Sequence, residues 1–230
     1  MSTRMQRKKE EKRKTILDAA EKLIAEDGFR DMTMDQVAKD ADVAKGTVYL
    51  YFKNKNSLCA AVNARINKEL NQVIKEKMDL YQTGLEKVVA SGTATVEFCL
   101  KNMQKWKAIT ELYQMKFKDP EDPNVKEFLY EVNNMVQMMA NGYRQGIKEG
   151  TIREDLDPVP TAIFNRMAFS NAITPTTEQN MLLKMNNINM QHYAGVAGEL
   201  IGRSTRKDLL NAEDMKKNIK KTYENLEKDL

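Results

Sequence analysis

Histidine and cysteine are nearly absent from this chain, which contains one histidine and two cysteines in 230 residues. A carboxylate-bridged di-metal site in a helical protein uses two Glu-x-x-His motifs, whereas the single His192 has Asn189 three residues before it. A Cys-x-x-Cys pair, a glycine-rich phosphate loop and a Gly-x-Ser-x-Gly elbow are missing as well. The sequence therefore predicts a protein without enzyme activity, metal or cofactor.

The few reactive side chains have simple interpretations. Cys59 and Cys99 fit reduced thiols carried on helices, and their spacing alone does not decide whether either has a redox role. His192 could hydrogen-bond a ligand, but a partly exposed position or a dimer interface is the favoured interpretation.

Long apolar runs are also missing. No run approaches the roughly 20 residues of a membrane-spanning helix, and the charged N-terminal residues lack the apolar core of a signal peptide. We therefore expect a cytoplasmic protein that does not contact a membrane.

Proline and glycine are scarce, at five and ten residues, whereas Lys, Glu, Leu and Met are abundant. This composition favours an all-α protein, and the length allows one small domain and a larger core of about 150 residues. The net charge is only +4, and beyond Leu58 the basic and acidic residues nearly balance, 24 against 23. Nucleic-acid binding should therefore be confined to the N-terminal region.

Residues 33–55 contain the most informative pattern, TMDQVAKDADVAKGTVYLYFKNK. Thr33 and Gln36 have the spacing of a capping box, so a helix should begin directly after Thr33. Asp42-Val43 would form a turn, and the chain can become helical again from about Ala44. Two short helices joined by a turn are typical of a helix-turn-helix that reads DNA.

Apolar and polar side chains should lie on different faces of the second short helix. Val48 and Phe52 are four residues apart and should face inward. The residues that lie elsewhere around the helix, a cation, a hydroxyl and two phenols, are Lys45, Thr47, Tyr49 and Tyr51. Gly46 would let another backbone approach, for which a DNA phosphate is the natural choice. Asn54 can cap a further helix whose first residue, Lys55, would point at the same phosphate strand.

The residues in front of this segment support the interpretation. An amphipathic helix is predicted from Lys14 to Asp27, with Gly28 ending it and Phe29 filling the small core. A basic arm precedes it, in which two glutamates accompany seven cations: Arg4, Arg7, Lys8, Lys9, Lys12, Arg13 and Lys14. Such an arm alone is as compatible with a solvated tail as with phosphate binding. Beside a helix-turn-helix, phosphate contact is favoured.

Residues 16–58 resemble the N-terminal domain of the TetR family of bacterial and archaeal transcriptional repressors. The resemblance is carried by Gly28-Phe29, Thr33, Val37-Ala38, Lys45-Gly46-Thr47-Val48-Tyr49, Tyr51-Phe52 and Asn54-Lys55. It implies that Lys45 reads bases, that Thr47, Tyr49 and Tyr51 contact phosphate or sugar, and that Thr33 and Lys55 fix the flanking phosphates. Two residues depart from the pattern, because the family often has serine at Ala44, and Asp35 would repel DNA if it faced the duplex.

The predicted fold is all-α with nine or ten helices. Residues 1–58 would form a three-helix DNA-binding domain with its basic arm, and residues 59–230 a larger helical regulatory and dimerisation domain. The later helices are predicted at Lys55 to Tyr81, Gly84 to Phe117 with a possible break at Gly92, Val125 to Glu149, Pro158 to Ile173 capped by Asp157, Glu178 to Ile201, and Ala212 to Asp229. The resemblance implies a ligand pocket and a dimer-forming four-helix bundle made from the helices at 158–173 and 178–201. It assigns no role to the last helix.

A soft or aromatic set on the body helices could line an adaptable pocket for a small apolar or amphipathic ligand. Its members are Trp106, Tyr113, Phe117, Phe128, Met135, Met138, Met139, Phe164, Met167 and Phe169. The competing interpretation is that most of them simply fill the core.

The function expected from these features is that of a homodimeric repressor released from a palindromic operator by a small ligand. Dimerisation also follows from DNA reading, because one helix-turn-helix covers only a half-site. The alternative is a DNA-bound interaction protein whose body docks a protein partner in place of a ligand. An exposed apolar patch on the body would favour docking, and an enclosed cavity would favour a ligand.

Overall fold

The computed structural model describes residues 3–112 and 115–207, and this part of the chain forms ten α-helices. They are α1 Thr3–Asp27, α2 Met34–Asp40, α3 Lys45–Tyr51, α4 Lys55–Met78, α5 Gly84–Lys101, α6 Met103–Leu112, α7 Pro123–Glu149, α8 Pro158–Ile173, α9 Thr177–Met185 and α10 Met190–Thr205. The predicted all-α class is confirmed. The helix expected at Ala212 to Asp229 and the pocket residue Tyr113 lie outside the described residues.

Two compact units can be distinguished. The first consists of the residues up to Ile74 together with Ala94–Met135, and the second of Lys75–Thr93 together with the residues from Val136 onward. The predicted functional boundary at residue 58 stays a prediction.

Local chemistry explains the first three helices. Thr33 caps α2 through a complete capping box with Gln36, and Gly28 ends α1 with φ of +84°. The apolar row predicted on α1 is fully formed, since Ile16, Leu17, Ala20, Leu23 and Ile24 are all buried. Met32 is completely buried, whereas Phe29 is only half-buried beneath the guanidinium of Arg30. The expectation that Phe29 fills this core was therefore wrong.

Helix α1 begins at Thr3 and not at Lys14, so the segment expected to be an arm is a helical extension. The reason lies in its composition, because residues 4–14 consist of Arg, Lys, Glu, Gln and Met, which are strong helix formers, without glycine or proline. The basic side chains are thus held on a rigid element.

Asparagine residues break two of the predicted helices. The helix expected from Gly84 to Phe117 is interrupted at Asn102, whose side-chain amide donates to the Phe98 carbonyl at 3.1 Å, while Gly92 stays inside α5. The helix expected from Glu178 to Ile201 is divided between α9 and α10, where Asn187 has φ of +55° and Asn189 caps α10. Asparagine side chains compete for backbone hydrogen bonds and tolerate positive φ, which favours such breaks.

Helix α8 begins after Asp157 as predicted, but the Asp157 side chain makes no capping hydrogen bond. A capping carboxylate usually accepts the N–H of the second or third helical residue. The third residue here is Pro160, which has no N–H, so this mode of capping is weakened.

Glycines allow a close backbone approach within the second unit. A Cβ atom at Gly84, the first residue of α5, would overlap the backbone of Gly142 and Gly146 on α7. At Gly92, on the same helix, a Cβ would lie 3.5 Å from the Phe169 ring, an ordinary contact.

We expect Gly84→Ala to lower the free energy of unfolding by about 2 kcal/mol or more, because the backbones must separate. Gly92→Ala is the matched control and should leave stability unchanged or raise it by up to about 1 kcal/mol through helix propensity. Urea denaturation followed by circular dichroism measures both. Equal effects of the two substitutions would contradict the close approach.

Candidate nucleic-acid interface

A small core fixes the orientation of α3. Val48 and Phe52 are completely buried, and α3 packs against α2, where Val37 and Ala38 are buried together with Ala41 just after that helix. The turn itself contains Asp42 with φ of +50°, a conformation that aspartate tolerates better than most residues. This core leaves one side of α3 free to face a partner.

The exposed side of α3 contains most of the predicted DNA contacts. Lys45, Gly46 and Tyr49 are exposed, and Thr47 and Tyr51 are half-buried. Helical geometry places Lys45 and Tyr49 on one flank and Thr47 and Tyr51 on the other. Thr33 is exposed at the start of α2.

Leu50 was missed by the sequence analysis, although its position could have identified it. It lies four residues after Gly46, opposite the buried row on α3, and its side chain is 84% exposed. An exposed apolar side chain at the centre of a reading helix can contact the methyl group of thymine.

Lys45 is paired before any DNA is bound. Its Nζ lies 2.7 Å from Oδ1 and 3.0 Å from Oδ2 of Asp35, and both side chains are largely exposed. The hydrogen bond to Asp35 raises the pKa of Lys45 above its ordinary value. Because an exposed ion pair is weak and screened by salt, it does not prevent Lys45 from reaching a base.

We expect Asp35→Asn to raise DNA affinity severalfold, because it removes a negative charge that would lie close to the phosphates and releases Lys45. Asp40→Asn, at the other end of α2, is the matched control and should change affinity much less. Fluorescence anisotropy with labelled duplex DNA at several salt concentrations provides the comparison. A loss of affinity in the Asp35 variant would show that Asp35 positions Lys45 for binding.

Lys55 is also engaged. Its ammonium group donates to the carbonyl oxygen of Arg30 at 2.7 Å, which ties the start of α4 to the loop after α1. Asn54 caps α4 as predicted, accepting the backbone N–H of Ser57 at 2.9 Å. The predicted role of Lys55 in fixing a flanking phosphate stays a prediction.

A polar network anchors the start of α4, and its residues were not identified from the sequence. The buried Ser57 hydroxyl donates to Asp122 at 3.1 Å and accepts from the Asn124 amide at 2.9 Å. The Asn124 oxygen accepts from Arg13 at 3.0 Å, and the Arg13 guanidinium lies 5.5 Å from the Phe52 ring centre. The network thus joins α1, the end of α3, the start of α4 and the loop before α7.

A second contact reaches the same loop. Lys53 donates to Asp119 at 3.1 Å, and this hydrogen bond is the main cause that lowers the pKa of Asp119. In the sequence these aspartates were visible only as parts of a loop, since their partners lie more than 60 residues away.

The basic extension of α1 lies beside the reading helix. Met5, Lys8, Lys9, Glu11, Lys12 and Thr15 form an open groove together with Tyr51 from the end of α3. The lysines of this groove are exposed. A positively charged helix and an exposed reading helix therefore border one surface, as expected for a protein that follows a phosphate backbone.

Comparison with known proteins gives this geometry a context. The sequence profile described as bacterial regulatory proteins, tetR family, matches residues 16–62. The uncharacterized HTH-type transcriptional regulator YhgD of Bacillus subtilis is 31% identical over 153 residues, which cover 66% of this chain and 77% of the relative. The chain belongs to the TetR family. It is accordingly a DNA-binding transcriptional regulator.

Solved structures show the same fold in other TetR-family proteins. SmeT, the repressor of the Stenotrophomonas maltophilia multidrug efflux pump SmeDEF, superposes with a TM-score of 0.64 at 19% identity, covering 85% of this chain and 91% of SmeT. FadR of Bacillus subtilis in complex with stearoyl-CoA gives 0.63 at 19% identity, covering 83% of this chain and 97% of FadR. At such identities the likeness concerns the fold alone.

The predicted pocket residues have different environments. In the first unit Trp106 and Met135 are buried, and the half-buried rings of Phe117 and Phe128 lie 5.1 Å apart. In the second unit Met139 is buried, Met138 and Phe169 are half-buried, and Phe164 and Met167 are 68% and 58% exposed. Their role in ligand binding stays a prediction.

The two cysteines are buried thiols. Loss of hydration on burial raises the pKa of Cys59 to about 12 and that of Cys99 to about 11. Both therefore stay protonated at neutral pH, where a thiol is a poor nucleophile. No helix in the described ranges, 3–112 and 115–207, is long and apolar enough to span a membrane.

Proposed function

We propose that this TetR-family regulator is a cytoplasmic homodimeric repressor that binds a palindromic operator and leaves it when a small ligand binds its helical body. The observation that carries the homodimer in this proposal is an exposed apolar surface on two neighbouring helices of the second unit. Release by a ligand is supported by membership of the TetR family and not by this surface. Repression is supported by SmeT, which has the same fold and is named as a repressor, and ligand binding by FadR, which has the same fold and was solved with stearoyl-CoA.

Helices α8 and α10 pack against each other and leave apolar side chains on their outer faces. On α8 these are Ile163, Phe164 and Met167, and on α10 they are Val196 and Leu200. A surface of this kind is unfavourable in water, and a second copy of the chain can cover it through a twofold axis. We call the five side chains the dimer face.

Phe164 and Met167 were predicted to line a ligand pocket, but both side chains are exposed. An exposed position fits a dimer interface better than a pocket. His192 is exposed on α10 one turn before Val196, which agrees with its expected place at a dimer interface. Two chains joined here would supply the two reading helices that a palindrome requires.

A second candidate function is a DNA-bound protein that docks a protein partner. It is favoured by α9, where Met181, Leu182 and Met185 form an exposed apolar patch, with Met185 77% exposed. Methionine-rich surfaces adapt readily to other proteins. A ligand that releases DNA would decide for the repressor, whereas release by a bound protein alone would decide for docking.

The roles of Lys45 and Lys55 provide a direct test of DNA reading. Lys45→Ala should change the preferred base sequence, because its side chain lies on the exposed flank of α3. Lys55→Ala should weaken binding to all sequences alike and lower the salt slope by roughly one unit, because it removes a phosphate contact. Anisotropy titrations against a panel of duplexes distinguish the two. An altered preference with an unchanged salt slope in the Lys55 variant would overturn the assignment.

A further inference from the structure

Helix α4 carries three buried asparagines on one face within the first unit. Asn63, Asn67 and Asn71 are spaced four residues apart, so they lie along one side of the helix, and none is more than 8% exposed. Asparagine is a poor helix former, and a buried amide is unfavourable unless its hydrogen bonds are made. A face that served only for packing would carry leucine or isoleucine, as α4 does at Leu70 and Ile74.

The asparagines form two separate hydrogen-bonded pairs, one within α4 and one between α4 and α7. The Asn67 amide donates to the Asn63 carbonyl at 2.8 Å and also to the Asn63 side-chain oxygen. The Asn71 amide donates to the Glu131 carbonyl at 2.8 Å and to its carboxylate at 3.0 Å. Glu131 is itself 8% exposed. We refer to these four residues as the polar stripe.

Three atoms of the polar stripe have no hydrogen-bond partner among the residues that the structure describes: Asn63 Nδ2, Asn67 Oδ1 and Asn71 Oδ1. The orientation of Asn71 is fixed, since its N–H groups face two acceptors of Glu131. Rotating the amides of Asn63 and Asn67 would reverse their mutual bond but still leave one N–H group and one oxygen unpaired. The stripe therefore has two oxygens that lack a donor and one N–H group that lacks an acceptor. The donor missing at Asn71 would lie close to the Glu131 carboxylate.

We propose that the polar stripe binds the head group of the releasing ligand and that this head group is a protonated amine on an apolar chain. The proposal rests on the proposed function, whose ligand it specifies. The ammonium would donate to the unpaired amide oxygens, and the Glu131 carboxylate would balance its charge. Leu70 and Ile74, adjacent on the same helix, offer apolar surface to the chain.

The same geometry disfavours an anionic head group. A carboxylate beside Asn71 would meet the Glu131 carboxylate and the unpaired oxygen of Asn71, so it would gain like-charge repulsion. The unpaired N–H group of the stripe, on Asn63, lies about two helical turns away from that position. An alcohol could donate one hydrogen bond but would leave the charge unbalanced. The expected order of affinity at equal chain length is therefore amine, alcohol, carboxylate.

A ligand can reach the polar stripe only if the helices around it move. The unpaired atoms are fully enclosed, so a ligand reaches them only when α4 and α7 separate locally. Because α4 begins at Lys55, next to the reading elements, a ligand held there acts on the helix that follows the reader.

The test uses the full chain with decylamine, 1-decanol and decanoate as probes, each below the concentration at which it forms micelles. Calorimetric titration should show decylamine binding at least about tenfold more tightly than decanoate, with decanol between them. Glu131→Gln should reduce decylamine affinity about tenfold and leave decanol within about twofold. Glu127→Gln, one turn earlier on α7 at a half-exposed position, is the control and should change neither.

The outcomes separate this proposal from the proposed function. Three results would overturn the polar stripe as an amine site: equal affinities for the probes, a preference for decanoate, or no binding of any probe by a chain that binds DNA. These results come from the wild-type chain, so they stand even if Glu131→Gln fails to fold. Release of labelled DNA is measured in parallel. Amine binding without release would contradict the ligand-controlled repressor and leave the amine site in place. Release by decanoate without amine binding would contradict only the amine site.

Discussion

Phe164→Asp should convert the protein from a dimer to a monomer at micromolar concentration and reduce operator affinity by at least about a hundredfold. Phe164, at 68%, is the most exposed of the three side chains that α8 contributes to the dimer face, so the substitution does not disturb a buried core. Removing an aromatic anchor from a protein interface costs about 2–4 kcal/mol. A twofold interface contains the residue twice, which makes the expected cost about 4–8 kcal/mol per dimer.

Sedimentation velocity and DNA titration measure the two effects on the same samples. Leu80→Asp is the matched control, because Leu80 is an exposed apolar residue of the second unit, 72% exposed, that lies outside the dimer face. It should remain dimeric and bind DNA normally. A wild-type chain that stays monomeric, or a Phe164 variant that stays dimeric, would contradict the assignment of the dimer face.

Replacing Lys8, Lys9 and Lys12 by glutamine together should weaken binding to every DNA sequence by about a thousandfold or more at physiological salt. These lysines are exposed on the α1 extension, in the groove that includes Tyr51 of α3. Six charges are lost per dimer, and each phosphate contact contributes about 0.9 to the salt slope. The slope should therefore fall by up to about five units.

The matched control replaces three exposed lysines of the second unit, Lys148, Lys184 and Lys207, by glutamine. It removes the same net charge but should leave the salt slope nearly unchanged. Circular dichroism establishes that α1 remains helical in the test variant. Equal losses in the two variants would show that net charge, and not the α1 extension, attracts the DNA.

Local chemistry made the DNA-reading segment predictable. The Thr33 to Gln36 capping box and the glycine that ends α1 depend on residues only a few positions apart, and both formed as expected. The buried row of α1 followed from helical periodicity alone, as Ile16 and Leu17 illustrate. The TetR-family pattern then connected these elements to DNA reading.

The features that the sequence did not predict depend on residues far apart in the chain or on weak local signals. Ser57, Asp122 and Arg13 form their network across 65 and 111 residues of sequence, and no periodicity brings such residues together. The breaks at Asn102 and at residues 186–189 were missed because a single asparagine lowers helix propensity only slightly. The basic extension was expected as an arm that precedes α1, because attention to its charge left its helix-forming composition out of account.

Selection of bound fragments from a pool of random duplex DNA, followed by sequencing, tests most directly whether two chains read one palindrome. The account predicts one enriched inverted repeat, with half-site centres about one helical turn or a multiple of it apart, bound by two chains. Enrichment of a single half-site bound by one chain, or no enrichment at all, would contradict it.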